Sequence, residues 1–257
     1  MAPAIPVVET SAPPAAKAEQ TMQTTAAATV DRVDTPRDGA TTKAELRRRV
    51  WGLALPAIGE QLLALGVGVS DTFLAGHLST AAMAHLGYDR ASALAAVGAA
   101  STAVWVVINA FFAINIGVTA LVARATGAGD KPLAARAAGQ GALLGVGVGV
   151  AMIALAVPLA AAITRILGVN GQVAELAASY IRVFSLALPA TGVASAATAA
   201  MRGAGDARRP LLVMLFVNGA NILGSWTLMN GFVPLAIQPI GVIGSAIGAA
   251  TGWTLGA

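Results

Sequence analysis

Of the 257 residues in the chain, 56% are hydrophobic and 11% charged, with a mean hydropathy of +0.74. Soluble domains are about 25% charged, so a water-soluble fold is excluded. The net charge is only +4 and aromatic residues make up 5%, which leaves no basic stripe with stacking platforms and argues against a nucleic-acid partner. Without cysteine there is no disulfide framework, thiolate nucleophile or Cys-ligated metal.

Residues 1–45 read as a disordered cytoplasmic tail. Their Ala/Thr/Pro bias offers little apolar surface to offset chain entropy, and nearly half of the charges fall before residue 50. No apolar core precedes a small-residue cleavage site, so the tail is not a secretory signal. From residue 46 to 257 the chain becomes a series of apolar runs. A spanning helix needs roughly 20 apolar residues to cover about 30 Å of hydrocarbon, and six runs qualify: 50–75, 93–122, 138–163, 176–200, 210–231 and 239–257. They are too long and too uniformly apolar for the alternating strands of a membrane barrel, so the expected fold class is an all-α integral membrane protein. Basic residues set its orientation. Lys43, Arg47, Arg48, Arg49, Arg124, Lys131, Arg136, Arg202, Arg208 and Arg209 fall on one side, against Arg90, Arg165 and Arg182 on the other. That places the N-terminus in the cytoplasm of a multi-pass protein of the cell (plasma or inner) membrane.

Two cytoplasmic connections share a pattern, Gly127-Ala-Gly-Asp130 before Pro132 and Gly203-Ala-Gly-Asp206 before Pro210. Glycine ends a helix in the left-handed region, aspartate caps the next, and proline is tolerated in the first turn. In the third span Gly141, Gly145 and Gly149 recur every four residues, so one helix face is bare enough for close approach of a neighbour. Pro56 and Pro189 stand inside apolar spans, where each removes a backbone hydrogen bond and can kink the helix.

Ionisable residues in hydrocarbon cost at least about 2.5 kcal/mol near its centre and mark function by default. Glu60 and Asp71 lie in the first span, eleven residues apart, so they differ by about 20° around the axis and roughly 16 Å along it. Both can line one cavity. Asn218, Asn221 and Ser225 in the fifth span share a face by their spacing of three and four; they can ligate a cation, or hydrogen-bond between helices. Asn109 and Asn115 in the second span and Ser245 and Thr251 in the sixth are weaker candidates of the same kind. His77 and His85 fall in the first outer loop with no metal-binding or nucleophile motif around them, and no nucleophile–base pair suggests an enzyme.

The order Leu55-Pro56-Ala-Ile-Gly-Glu60, Asp71-Thr-Phe-Leu-Ala-Gly76, Gly117-Val-Thr-Ala-Leu-Val-Ala-Arg124, Gln140, Leu188-Pro189, Arg202-Gly-Ala-Gly-Asp206, the span-five asparagines and Gly241-Val-Ile-Gly244 resembles the multidrug and toxic compound extrusion (MATE) transporters. It is nearest to their DNA-damage-inducible F-like branch, and the likeness runs over residues 46–257. The resemblance implies one six-helix lobe, the N-terminal one, of a twelve-helix, two-lobe antiporter. Such a protein exports organic cations and other xenobiotics in exchange for protons or sodium, with no cofactor beyond that coupling ion. Its partners are small organic molecules, the lipid bilayer and the missing second lobe. By resemblance Asp71 and Asn221 fall on the ion-coupling positions, supported by Asn218 and Ser225. Glu60 and Asn109 are a possible second titratable or substrate-facing set.

Ser225 stands where many members carry a second carboxylate, which leaves one charge where two are usual. Two alternatives remain: a truncated, non-transporting membrane fragment, expected because six spans are one lobe, or a lipid-linked flippase of the same superfamily. The flippase would carry a basic central cavity, whereas the only charges deep in these spans are acidic.

Overall fold

The computed structural model describes residues 42–257. The expected tail falls outside these up to residue 41, and the first helix begins at Lys43. The packed unit is Val50–Ala257, and all packing described below lies within it.

Nine α-helices follow one another among the described residues: α1 Lys43–Gly76, α2 Thr80–Leu86, α3 Arg90–Asn109, α4 Phe112–Gly127, α5 Lys131–Ile166, α6 Gly171–Ser185, α7 Leu188–Gly203, α8 Arg208–Asn230 and α9 Val242–Gly256. Between α8 and α9 the chain makes a short 3-10 turn, Val233–Leu235, closed by an isolated bridge between Phe232 and Ile237. The protein is thus an all-α membrane fold, as composition required. α1, the α3–α4 run, α5 and α8 are each long and apolar enough to cross a bilayer.

Three expected elements differ in detail. The second span is broken at Ala110–Phe111, where the amides of both residues bond back three positions, to Val107 and Ile108. This tightened turn buries the Phe111 ring. The fourth span is a bent pair, α6 and α7, meeting at 56°. Pro189 sits in the first turn of α7, where its missing N–H leaves no carbonyl unpaired, so the expected kink is a break with a fresh helix start. In the sixth run the helix starts at Val242 and not at residue 239, following Gly241 with its positive φ of 57°.

The repeated turns are built alike. In the first, the amides of Ala128, Gly129 and Asp130 bond to the carbonyls of Arg124, Thr126 and Ala125; in the second, those of Ala204, Gly205 and Asp206 bond to Ala200, Arg202 and Met201. Gly129 and Gly205 take positive φ, 74° and 86°, and each aspartate then caps the following helix. Asp206 is held below the usual carboxylate range chiefly by the amide of Arg209, aided by that of Arg208 and by both guanidinium charges.

Lipid tails are as apolar as leucine, so helix association relies on close packing of small residues. The glycine stripe of α5 does this work. A Cβ on Gly145 would stand 2.5 Å from the Gly192 carbonyl oxygen of α7, and one on Gly149 would stand 2.6 Å from the Pro189 backbone. α9 docks on α8 in the same manner, with Gly248 against Ser225 and Gly252 against the Val217 carbonyl. α1 lacks such extensive backbone packing against any other helix. Polar side chains reaching from the bundle give it its most specific contacts.

Candidate functional site

Those polar contacts form three rungs along α1. The outermost is Asp71, only 1% exposed. Its Oδ2 accepts a hydrogen bond from the Tyr180 hydroxyl of α6 at 3.0 Å, and its Oδ1 accepts from Asn221 Nδ2 of α8 at 3.2 Å. The Ser225 hydroxyl lies 3.2 Å from the same Oδ1 and 3.3 Å from the Ser245 carbonyl of α9. It has one proton, so it serves one of these acceptors at a time. Helices α6 and α8 therefore meet α1 at one carboxylate, and α9 joins the cluster through Ser225. Two buried oxygens in this cluster, Asn221 Oδ1 and the Ser245 hydroxyl, have no hydrogen-bond partner, an unusual state for buried polar atoms.

The spacing of Asn218, Asn221 and Ser225 puts all three on the buried face of α8, but they part ways there. Asn221 and Ser225 meet Asp71. Asn218 lies about a turn away and donates to the Leu63 carbonyl of α1 at 2.8 Å and to the Met214 carbonyl at 2.9 Å. It is the middle rung, a strap holding α1, and it stands outside the carboxylate cluster because its amide protons are spent on backbone oxygens. Asn218→Leu is expected to raise hydrogen exchange around Leu63 and lower stability by about 0.6 kcal/mol, the usual size of an interhelical hydrogen bond in a membrane. Thermal unfolding with exchange mass spectrometry measures both.

The innermost rung is Glu60, buried and ion-paired with Arg202 from the last turn of α7. This corrects one expectation. The charges within the bundle are not only acidic, because Arg202 folds its guanidinium inward from the Gly-Ala-Gly-Asp turn. Asn109 also departs from its expected place. It is exposed at the end of α3 and donates to the Trp105 carbonyl one turn back, a local bond that leaves it outside both polar clusters. His77, in the outer loop, stacks on Phe73 and its Nδ1 bonds that residue's carbonyl.

Two adjoining spaces serve these rungs. Asp71 and Tyr180 border a small pocket of about 50 Å³, which also touches Ala64, Ile108 and Trp253. The same three residues border a larger cavity of about 630 Å³ that contains Glu60, Arg202, Asn115 and Thr198. The larger space is of the size that holds small organic molecules; the smaller has room for an ion or a water beside the carboxylate. Sequence reasoning missed Tyr180. The chain has only two tyrosines, and a phenol inside an apolar span must find an acceptor, which was the available signal. It also missed the reach of Arg202, since a residue at a helix end gives no clue to the direction of its side chain.

Comparisons with known proteins agree with this architecture. The MatE family model matches residues 56–227. The probable multidrug resistance protein NorM of Thermotoga maritima is 30% identical over 204 residues, which are 79% of this chain and 41% of that protein. DNA damage-inducible protein F of Escherichia coli is 29% identical over 184 residues, 71% of this chain and 38% of the relative. Among solved structures, the Vibrio cholerae MATE transporter VcmN in its bent form shares the fold with a TM-score of 0.66 at 19% identity, over 84% of this chain and 45% of that one. The chain thus spans about two-fifths of the length of the curated relatives it matches.

Proposed function

The chain belongs to the MatE family, and from that premise we propose that it forms the N-terminal lobe of an ion-coupled antiporter exporting amphipathic organic compounds, organic cations among them. A second lobe completes the transporter, the N-terminus lies in the cytoplasm, and the host is the plasma or inner membrane. The work is transport and needs no cofactor beyond the coupling ion, a proton or sodium.

The observation that carries this reading is the burial of Asp71 at the meeting point of α1, α6 and α8, joined by α9 through Ser225. A carboxylate in hydrocarbon is costly enough to imply a role, and this one supports a mechanism. When empty, the charged carboxylate is the acceptor that ties α6 and α8 to α1. Hydrogen bonds to an ionised acceptor are roughly twice as strong as neutral ones, so a proton or cation arriving at Asp71 weakens these ties. The two unpartnered oxygens, Asn221 Oδ1 and the Ser245 hydroxyl, are free to turn toward a cation. Ion binding is thereby converted into a change in how α1 is seated, beside the cavity where a substrate would lie. In two-lobe transporters alternating access is largely a rocking of one repeat against the other around such a site.

Reconstituting the complete protein in liposomes tests the reading. Ethidium is expected to be driven across the membrane by an imposed pH or sodium gradient and to stop when the matching ionophore collapses it. Ethidium flux indifferent to both gradients overturns the coupling.

A further inference from the structure

The structure assigns to the outer face of α6 a binding site for a phospholipid headgroup that carries a primary ammonium beside its phosphodiester, with Arg182 on the phosphate and Glu175 on the ammonium. The site lies away from the polar rungs and their cavities, and it takes from the efflux reading only that α1 crosses the bilayer. Gln172, Glu175, Ser179, Arg182 and Leu186 follow one another at spacings of three and four, so they fall within about 80° of arc around the helix. Ser179 is half-buried and the other four are exposed, while the rest of the helix turns inward around Tyr180 and Phe184. A polar outer face of this kind belongs to a helix bordering water. The other spans expose apolar residues instead, such as Leu62 on α1, Leu143 on α5 and Leu223 on α8.

Depth decides what this face meets. Counted along α1 from Val50, Asp71 lies about 30 Å on at 1.5 Å per residue, which is the thickness of the hydrocarbon core. Tyr180 reaches Asp71 at 3.0 Å, so Arg182, just beyond it on α6, stands near that edge of the bilayer. The first turn of α6 touches the loop after α2, where Gln172 Nε2 donates to the Gly87 carbonyl at 3.4 Å. The helix therefore enters from this edge, and Glu175 lies about 10 Å nearer its entry than Arg182, measured along the axis. Helical side chains lean toward the N-terminus, which carries the guanidinium out toward the lipid phosphates and the carboxylate into the layer above them. Among the described residues neither side chain has a hydrogen-bond or ion-pair partner. A cation placed below an anion complements a headgroup whose phosphate lies deeper than its ammonium. Guanidinium holds a phosphate through two parallel hydrogen bonds, and a carboxylate accepts N–H bonds, which a primary ammonium offers and a trimethylated one does not. A headgroup with a phosphate and no ammonium satisfies Arg182 but sets its charge against Glu175.

Native mass spectrometry of the detergent-solubilised full chain, titrated with dioleoyl phosphatidylethanolamine, phosphatidylcholine and phosphatidylglycerol, tests the site. The ethanolamine lipid is expected to bind about tenfold more tightly than either of the others, the size of one hydrogen bond to a charged group. Glu175→Gln is expected to erase that advantage, and Arg182→Gln to weaken binding of all three lipids. An ethanolamine preference that persists in Glu175→Gln overturns the assignment to this face, as does unchanged binding of all three lipids by Arg182→Gln. On the unaltered chain, equal binding of the three, or tighter binding of the choline or glycerol lipid, overturns the headgroup selectivity. Binding of none of them overturns the site and leaves the stripe to water or to a protein contact. Each of these failures leaves ion-coupled efflux standing, because neither Glu175 nor Arg182 borders the two cavities. The comparison of lipids on the unaltered chain decides the matter even where a variant fails to fold.

Discussion

Asp71→Asn is expected to abolish gradient-driven export by the complete protein while leaving it folded and able to bind dye. The substitution keeps the size of the side chain but removes the charge that binds a coupling ion. It also replaces one acceptor oxygen with a donor NH2 facing the donors Tyr180, Asn221 and Ser225. Export should fall to the leak rate of empty liposomes, whereas dye affinity, set in the neighbouring cavity, should change little. Unchanged export would remove Asp71 from the coupling mechanism. Tyr180→Phe provides a graded control. It takes away one of the donors and leaves the carboxylate, so export should persist with a changed dependence on the driving gradient. Asp71→Ala is a harsher change, since each buried donor left without an acceptor costs about 1–3 kcal/mol, and a loss of export there would be confounded by a loss of fold.

The second large effect concerns packing. Gly145→Val is expected to destabilise the bundle by about 1–3 kcal/mol or more, the usual cost of forcing extra atoms into a filled interface. A Cβ at this position meets the Gly192 backbone at 2.5 Å for the carbonyl oxygen and 2.7 Å for its carbon. Backbone atoms of a facing helix cannot turn aside as a side chain can, so α5 and α7 must separate along their whole crossing. Gly147→Val, two residues away on the same helix, is the control. Nothing lies within 4 Å of a Cβ there, and the residue borders an open groove on the outer face of α5, so stability should be unaffected. Thermal unfolding of the two variants in detergent measures the difference, and similar losses would mean that the close approach of α5 to α7 does not set the effect, since valine is itself a better helix former than glycine.

Legibility in the sequence varied with the range of the interactions involved. Local chemistry was readable. The Gly-Ala-Gly-Asp turns and the α5 glycine stripe depend on neighbours within a few residues, and each appears where expected; of the apolar runs, four are spans by length and composition and another is a bent pair. The break at Pro189 was also signalled, because proline disrupts the preceding turn of its own helix. The first-span carboxylates could be singled out from cost alone, and the shared face of Asn218, Asn221 and Ser225 follows from 3.6 residues per turn.

Composition and periodicity by themselves thus determined that this is a helical membrane protein with a rare carboxylate at Asp71 and an adaptable polar face on α8. Only the tertiary structure decided the use made of them. It gave Asn221 and Ser225 to Asp71 but Asn218 to the Leu63 carbonyl, brought in Tyr180 from another helix, and folded Arg202 inward to pair with Glu60. The physical reason is that a helix face fixes direction around one axis, whereas which face meets which, and at what depth, depends on packing between helices far apart in sequence. Side-chain reach adds a further freedom: a long arginine at a helix end can turn outward to water or inward to a buried carboxylate, and only the presence of Glu60 about one side-chain length away selects the second.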